Sequence, residues 1–239
     1  MQEERDRMLR LITDFDGPIM DVSERYYQVY QFCLEQTRHR NRSVRCLSKS
    51  EFWQLKRARV PERQIGILSG LDADRAVEFA KLRGRTVHTA PYLHHDTPIP
   101  GAVEALDRIK QEGIDLVVMT LRRTRELDEA LDRCNLGWLF AANRRYCLGN
   151  DYTKTGDVRD KPMLMTQALK ELPPVTHTWM VGDTEADLVA AKTHGIKSIG
   201  VLSGIRDRER LEAYAPDRIV KNLADAVESI FAEAVQPVR

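Results

Sequence analysis

Two groups of aspartates stand directly after apolar runs of the chain. Asp14 and Asp16 follow one such run near the N-terminus, and Asp183 and Asp187 follow another late in the chain. An Asp-x-Asp pair alone is a weak signal, because aspartate is frequent in turns. Two such groups can share one site, in which carboxylate oxygens hold a hard cation beside a carboxylate nucleophile. The pattern therefore predicts chemistry on a phosphate ester.

Each of these aspartates has a predicted role. Asp14 is the predicted nucleophile, which attacks phosphorus and forms an aspartyl-phosphate. Asp16 is the predicted proton carrier, which protonates the leaving oxygen and later deprotonates the attacking water. We predict Mg²⁺ as the cofactor, because it prefers few carboxylates, oxygen ligands and retained waters. Its predicted ligands are Asp14, Asp183, the backbone carbonyl of Asp16 and, through water rather than directly, Asp187.

Further candidates follow a second apolar run, which ends at Thr120. The hydroxyl of Thr120 and the backbone around Leu121 and Arg122 are predicted to bind phosphate oxygens of the substrate. For the side chains of Arg122 and Arg123, contact with the substrate and exposure to solvent stay equal alternatives. A lysine ammonium is also needed to neutralise charge in the transition state, and either Lys154 or Lys161 can supply it.

The elements that must position these residues alternate between apolar runs and helical patterns. Strands are predicted at 8–13, 114–119, 178–181 and 198–202, and helices at 102–111, 125–134, 161–171, 185–194, 206–214 and 223–234. Alternation of this kind predicts an α/β fold with a Rossmann-like, doubly wound parallel sheet covered by helices on both faces. Because ligands bind at the carboxyl ends of such strands, the candidate residues should meet at one edge of the sheet.

A helical block interrupts this alternation after the first strand. From about residue 22 to 81 the pattern is helical with no convincing strand, and residues 90–101, rich in proline and polar residues, are predicted to form a linker. We therefore predict an all-helical cap inserted into the sheet domain. The predicted division is 1–20 and 95–239 for the catalytic core and 21–94 for the cap.

Four segments resemble the motifs of a known family, in the family's order. They are Asp14-Phe15-Asp16-Gly17, the run ending at Thr120, Lys161-Pro162, and the run from Val181 to Asp187. Together they resemble the haloacid dehalogenase-like (HAD) superfamily, in its phosphoglycolate-phosphatase and sugar-phosphatase branch. The resemblance implies a phosphoric monoester hydrolase with a helical cap, and a sheet in which the first strand lies between those that end in the second and fourth motifs. It also favours Lys161 over Lys154.

Two alternative functions stay open beside a small-molecule phosphatase. One is a sugar phosphomutase on the same scaffold, although Tyr26 stands where several sugar-phosphate members of the family carry a histidine. Tyr26 itself could face the site or belong to the core of the cap. The other alternative is a catalytically silent HAD-fold binding protein, which the intact set of candidate residues argues against. His94-His95-Asp96 could suggest a metal, but a surface position is predicted for it.

Composition limits the partners. The chain has 239 residues and a net charge of +1, which excludes a molecule built as a whole to bind nucleic acid or membrane. Residues 22–90 carry 14 Lys or Arg against 7 Asp or Glu, so the surface of this segment is either merely solvated or attracts an anionic substrate. No close cysteine pair, signal-peptide pattern or long apolar run is present. We predict a cytoplasmic monomer or homodimer that binds a small phosphorylated molecule.

Overall fold

The computed structural model describes residues 9–39 and 43–234. Met8 of the predicted first strand, the remaining ends of the predicted core and residues 40–42 of the predicted cap lie outside these ranges. Among the described residues, no helix combines the length and the apolar character needed to cross a bilayer.

A six-stranded sheet, parallel throughout, forms the centre of the core. Its order is β5-β4-β1-β6-β7-β8. The strands are β1 (Leu9–Thr13), β4 (Asp115–Arg123), β5 (Arg145–Leu148), β6 (His177–Gly182), β7 (Lys197–Val201) and β8 (Arg218–Val220). The central position of β1, between the strands that lead to the second and fourth motifs, and the α/β fold class are both confirmed.

Helices cover both faces of this sheet. One face carries α6 (Ala102–Gln111), α7 (Thr124–Arg133) and α11 (Leu223–Ala234), and the other carries α8 (Asp157–Glu171) and α9 (Glu185–Thr193). The short helix α10 (Arg208–Glu212) lies between β7 and β8 in the chain. Successive residues of a strand point to opposite faces, so Leu11 enters the first of these cores and Ile12 the second. Both side chains are fully buried, which holds the residue that follows β1 in a fixed place.

The inserted block is helical, as predicted, and has a hydrophobic core of its own. Its helices are α1 (Ser23–Thr37), α2 (Lys49–Arg57), α3 (Glu62–Leu68), α4 (Ala73–Thr86) and α5 (Ala90–Leu93). Tyr30 stacks on Phe52 with ring centroids 4.7 Å apart and meets Phe79 edge-on. The hydroxyl of Tyr30 lies 2.8 Å from that of Ser69, so its polar end is also satisfied inside this core.

The linker prediction for residues 90–101 was incomplete. Besides α5, this segment contains β3 (Thr97–Pro98), which pairs antiparallel with β2 (Met20–Asp21). The backbone N–H of Ile99 also donates to the carbonyl of Ile19 at 2.8 Å. The two chain segments that connect core and cap are therefore hydrogen-bonded to each other.

Three further boundaries differ from the prediction. Strands β5 and β8 were missed, because they are short and lie at or next to the sheet edges, where strands need little apolar sequence. Strand β4 does not end at Thr120 but continues to Arg123 through an irregularity in its pairing with β5. Helix α8 begins at Asp157, so Lys161 lies in its second turn rather than at its start.

Candidate active site

The carboxylate of Asp14 lies at the centre of the carboxyl-end edge of the sheet. Its backbone N–H donates to the carbonyl of Val181 at 2.8 Å, which extends the pairing of β1 with β6. The N–H of Phe15 donates to Asp14 Oδ1 at 2.7 Å and orients the carboxylate. Since β1 lies between β4 and β6, Asp14 is placed between Thr120 and Asp183, as the sequence predicted.

Lys161 reaches this carboxylate from α8. Its Nζ lies 2.9 Å from Asp14 Oδ1 and 2.7 Å from Asp187 Oδ1, and the residue is 1% exposed. Burial would lower the pKa of Lys161, but the two carboxylates outweigh it and raise the pKa, so the ammonium is retained. Lys154 is exposed in the loop before α8. The geometry therefore favours Lys161 of the two candidate lysines.

Asp183 and Asp187 are held by neighbouring backbone and hydroxyl donors. The N–H of Ile205 donates to Asp183 Oδ2 at 2.6 Å. Asp187 Oδ2 accepts both the N–H of Thr184 at 3.0 Å and its hydroxyl at 2.7 Å, which caps the N-terminus of α9. The fourth motif thus combines a helix cap with a pair of carboxylates that face the Asp14 side chain.

Two glycines make room for the Asp183 carboxylate. A Cβ on Gly204 would lie 1.9 Å from Asp183 Oδ2, and a Cβ on Gly17 would lie 2.2 Å from its Cγ. Gly17 also has a φ of 93°, in the region that residues with side chains rarely adopt. The main chain on both sides therefore approaches Asp183 more closely than any other residue type would allow.

A divalent cation fits the chemistry of this cluster. Oxygen atoms of Asp14, Asp183 and Asp187 all lie within 4.8 Å of one another, and all three residues are buried. Three carboxylates against the single ammonium of Lys161 leave an excess of two negative charges. Burial raises the pKa of Asp14 to about 7, and burial and then Asp187 raise that of Asp183. Oxygen ligands with this charge suit a hard cation such as magnesium.

Asp16 faces away from this cluster, toward arginines. Its Oδ1 accepts from Arg122 Nε at 2.8 Å, and its Oδ2 accepts from Arg25 Nη2 at 2.7 Å. Burial would raise the pKa of Asp16, but Arg122 and Arg25 outweigh it and hold the pKa well below its usual range. The Asp16 carboxylate is therefore not among the cation-binding oxygens, and its predicted contribution through the backbone carbonyl stays a prediction.

The three residues predicted from the second motif are consecutive and lie near the C-terminal end of β4. Thr120 is 2% exposed, and its hydroxyl accepts the N–H of Arg122 at 3.2 Å. Leu121 is half-buried and packs against the core that contains α8 and α9. Arg122 is buried over the ring of Phe15, with its Cζ 5.0 Å from the ring centroid. Solvent exposure, the alternative considered for Arg122, is therefore wrong.

Two residues beside Asp16 were not predicted from sequence. Arg25, in the first turn of α1, and Asp96, just before β3, are both fully buried. Arg25 Nε lies 3.2 Å from Asp96 Oδ1, and Arg122 Nη2 pairs with Asp96 Oδ2. The predicted surface position is thus wrong for Asp96, although His94 is exposed. No local pattern marks Asp96, because its partners are distant in sequence.

The cap contributes a group of cations around Tyr26, which is half-buried. Arg83 Cζ lies 4.7 Å, Arg25 Cζ 5.2 Å and Lys56 Nζ 5.6 Å from the centroid of its ring. Glu62 pairs with both Lys56 and Arg83. Tyr26 also packs edge-on against Trp53. The Tyr26 ring therefore lies under the arginine that contacts Asp16 and packs against the apolar clusters of both cap and core.

A second contact joins cap and core next to the fourth motif. Arg59, whose φ is 59°, lies 3.1 Å from Glu185 at the start of α9, and Arg206 pairs with the same carboxylate through two nitrogens. The N–H of Asp207 donates to the carbonyl of Arg57 at 3.2 Å. The loop after α2 thus rests on the loop that carries Gly204 and Ile205.

Comparisons with known proteins show what this chain is similar to. Residues 159–226 match a model described as Hydrolase-like, HAD-hydrolase-like. The phosphoglycolate phosphatase of Pseudomonas fluorescens is 24% identical over 137 residues, which cover 57% of this chain and 48% of that protein. That of Agrobacterium fabrum is 28% identical over 150 residues, covering 58% and 57%. The chain therefore spans about half the length of the curated relatives it matches.

Solved structures show the same fold over almost the whole chain. A haloacid dehalogenase-like family protein from Streptococcus pneumoniae superposes with a TM-score of 0.67 at 16% identity, covering 94% of this chain and 99% of that one. Its likeness concerns the fold alone. The family match over residues 159–226 and the phosphoglycolate phosphatase relatives agree with the resemblance of the four motifs to the haloacid dehalogenase-like superfamily.

Proposed function

We propose that the protein is a magnesium-dependent phosphatase that hydrolyses a small-molecule phosphate monoester through an aspartyl-phosphate. The observation that carries the proposal is the position of Lys161, buried between Asp14 and Asp187 at the edge where Asp183 completes an oxygen cluster. A nucleophilic carboxylate, a fixed ammonium and a cation site within one cluster are the parts that phosphoryl transfer to aspartate needs.

In the first step, Asp14 attacks the phosphorus atom and the bond from phosphorus to the ester oxygen breaks. Asp14 is suited to this because the N–H of Phe15 and the ammonium of Lys161 fix its Oδ1, and Oδ2 is then the oxygen left for attack. Lys161 stays positively charged and neutralises charge on the transferring phosphoryl group. The hydroxyl of Thr120 lies at the same edge and is proposed to bind a phosphate oxygen.

Asp16 is proposed to move the protons. It gives a proton to the departing ester oxygen and, in the second step, takes one from the water that hydrolyses the aspartyl-phosphate. The first of these roles requires a protonated Asp16, whereas its pairs with Arg25 and Arg122 favour the carboxylate. Asp16 therefore has to leave at least one of these partners before it can act as an acid.

Magnesium held by Asp14, Asp183, the backbone carbonyl of Asp16 and, through water, Asp187 would offset the repulsion between the Asp14 carboxylate and the phosphate dianion. The helical block 21–94 is proposed to act as the cap that covers the site and excludes water. Its contacts with the core, Arg25 with Asp16 and Arg59 with Glu185, support this part of the proposal.

A phosphatase acting on phosphoglycolate or a sugar phosphate is the form of the proposal that the named relatives favour. Tyr26 stands at the position where several sugar-phosphate members of the family carry a histidine. Its ring lies among cations of the cap, one of which, Arg83, pairs with Glu62. A mutase and a silent binding protein are therefore not favoured. A cytoplasmic location and a monomeric or dimeric state stay predictions.

The test is hydrolysis of p-nitrophenyl phosphate and of a panel of phosphorylated metabolites by the purified protein, with and without Mg²⁺. We expect Mg²⁺-dependent release of phosphate that falls at least about 1,000-fold in Asp14→Asn, as the loss of a nucleophile does. Asn keeps the shape of the side chain, so thermal melting should verify that the variant is folded. Equal rates in wild type and Asp14→Asn with every ester would disprove the proposal.

A further inference from the structure

Four charged side chains of alternating sign, three of them buried, lie where the cap meets the core. They are Asp16 in the loop after β1, Arg25 in α1, Asp96 before β3 and Arg122 in β4, and we call them the clasp. Each arginine contacts both aspartates: Arg25 lies 2.7 Å from Asp16 and 3.2 Å from Asp96, and Arg122 lies 2.6 Å from Asp16 and also pairs with Asp96. The clasp is therefore a closed ring with no net charge.

The ring leaves neither oxygen of Asp16 free of a guanidinium group. Oδ1 accepts from Arg122 and Oδ2 from Arg25. Asp16 is the most exposed of the four, with 24% of its side chain accessible, whereas both arginines and Asp96 are almost wholly buried. Asp16 is therefore the member that can leave the ring most easily, while the other three form a fixed base.

Both arginines also carry donors that the ring does not use. Nη1 of Arg25 and Nη1 of Arg122 are buried and have no hydrogen-bond partner among the residues that the structure describes. A buried donor without a hydrogen-bond partner destabilises the folded protein. Such donors on two guanidinium groups beside the candidate reaction centre point to an anion as the missing partner, since guanidinium binds carboxylate and phosphate with two parallel hydrogen bonds.

We propose that the clasp restrains Asp16 until an anionic group on the leaving part of the substrate binds Arg25 and Arg122 in its place. This inference rests on the proposed function, in which Asp16 must approach the ester oxygen. Arg25 and Arg122 are then specificity-determining residues that contact the substrate. Asp96 is a positioning residue that holds the two guanidinium groups in place.

The position of the clasp also links this exchange to the cap. Arg25 follows β2 and Asp96 precedes β3, so the ring joins both chain segments that cross between core and cap. These two strands pair with each other, with Asp21 opposite Thr97. When Asp16 separates from Arg25, the contact between the cap and the loop after β1 changes. Binding of the anion therefore links the position of the cap to proton transfer by Asp16.

The experiment compares two esters of similar size. One is 2-phosphoglycolate, whose leaving part carries a carboxylate, and the other is 2-hydroxyethyl phosphate, whose leaving part is neutral. For the wild type we expect kcat to be about 100-fold higher with phosphoglycolate, the lower end of what proton transfer contributes. In Arg25→Gln the ratio of the two kcat values should fall below about 10, because kcat falls with phosphoglycolate, whereas with the neutral ester the loss of one restraint on Asp16 raises it.

Two controls separate this role from a structural one. Arg63→Gln removes one charge from an exposed position of the cap, and it should keep the wild-type ratio. Arg25→Lys keeps the charge and should restore part of the ratio. An equal fall in kcat with both esters in Arg25→Gln, or a change confined to KM, would overturn the proposal.

Asp96→Asn provides a test in the opposite direction, which stands even if Arg25→Gln fails to fold. Without the carboxylate of Asp96, only Asp16 and the substrate can pair with the guanidinium groups of Arg25 and Arg122. We expect KM for phosphoglycolate to fall and kcat for the neutral ester to fall as well. A higher kcat for the neutral ester would contradict the clasp. Failure of the proposed function is distinct, since the wild type would then hydrolyse neither ester.

Discussion

At the scale of single residues, the site depends on unequal numbers of buried charges. Lys161 pairs with Asp14 and Asp187, and Asp183 adds a third carboxylate, so the cluster holds three carboxylates beside one ammonium. Asp16, only two residues from Asp14, lies in the opposite situation, with two guanidinium groups around it. The two aspartates of one short motif are thus prepared for different work by their surroundings, not by their residue type.

The choice between the two candidate lysines can be tested directly. Lys161→Met should lower kcat about 100-fold or more, as loss of a donor to transition-state charge does. It should also tighten Mg²⁺ binding, because the removed ammonium competes with the cation for the same carboxylates. Lys154→Met is the matched control and should stay within about threefold of wild type. The reverse ranking in steady-state kinetics would show that the loop lysine is the catalytic one.

The cation site can be tested without measuring activity. Mg²⁺ should raise the melting temperature, because it binds the folded carboxylate cluster and not the unfolded chain. Asp183→Asn should reduce this increase, and in EDTA it should melt above the wild type, since it removes one of three mutually repelling carboxylates. Differential scanning fluorimetry with Mg²⁺ and with EDTA measures both expected changes in melting temperature. A variant that melts below the wild type in EDTA would contradict the electrostatic account.

At the scale of elements, the ends of β1, β4 and β6 deliver the reacting groups, while loops without regular structure bring the main chain close to them. The loop after β7 is an example, because Gly204 and Ile205 enclose one oxygen of Asp183. Strand β4 also extends beyond Thr120, so that Arg122 is directed into the clasp by a strand rather than by a loop.

The close approach at Gly204 leads to a prediction. Gly204→Ala would place a Cβ 1.9 Å from Asp183 Oδ2, so the carboxylate or the loop must move. We expect Mg²⁺ affinity to fall at least about tenfold, in line with the loss of an orienting contact at a metal ligand. The control is Gly149→Ala, where an added Cβ meets nothing within 4 Å. Unchanged Mg²⁺ affinity by isothermal titration calorimetry in Gly204→Ala would disprove the role of this approach.

At the scale of the whole molecule, the cap and core meet through charges and through Tyr26 and Trp53, which pack against the apolar clusters of both. The clasp joins them at one side of the site, and Arg59 with Glu185 joins them at the other. Exposed ion pairs such as the one formed by Arg59 contribute little to stability. The hydrophobic core of the cap is separate, centred on Tyr30 and Phe52. This construction is suited to a cap that moves as a unit.

A lysine inside the cap makes stability depend on pH. Burial and the charge of Arg83 lower the pKa of Lys56 to about 8, against an ordinary value of 10.5 in the unfolded chain, and Glu62 opposes them. Between these pH values the unfolded chain holds more protons than the folded one, so the wild type gains stability as pH rises. Below pH 8 the two states hold the same charge and the gain is absent.

Replacement of this lysine isolates the effect. From pH 7.5 to 9.5, the free energy of unfolding of the wild type should rise relative to that of Lys56→Met by on the order of 1 kcal/mol, since one pKa unit corresponds to about 1.4 kcal/mol. Urea unfolding at both pH values measures the difference. A difference between the two proteins that stays constant or decreases over this range would contradict the lowered pKa.

The amino-acid sequence by itself determined the fold class and the sheet edge at which Asp14, Thr120 and Asp183 lie, because an apolar run ending in a polar residue predicts both a buried strand and the group at its end. The order of the central strands and the choice of Lys161 over Lys154 came from the resemblance of the four motifs to a known family, not from local signals. Edge strands β5 and β8 gave no such signal, since short strands at the border of a sheet need few apolar residues.

Only the tertiary structure decided which charges face each other. Asp96 looked like part of a polar surface segment and Arg122 was equally compatible with solvent, yet both are buried against Asp16. Arg25 and Asp96 are 71 residues apart in the chain and meet because β2 pairs with β3. Pairing of buried charges depends on distance in space and on exclusion of water, and neither quantity is carried by the spacing of residues along the chain.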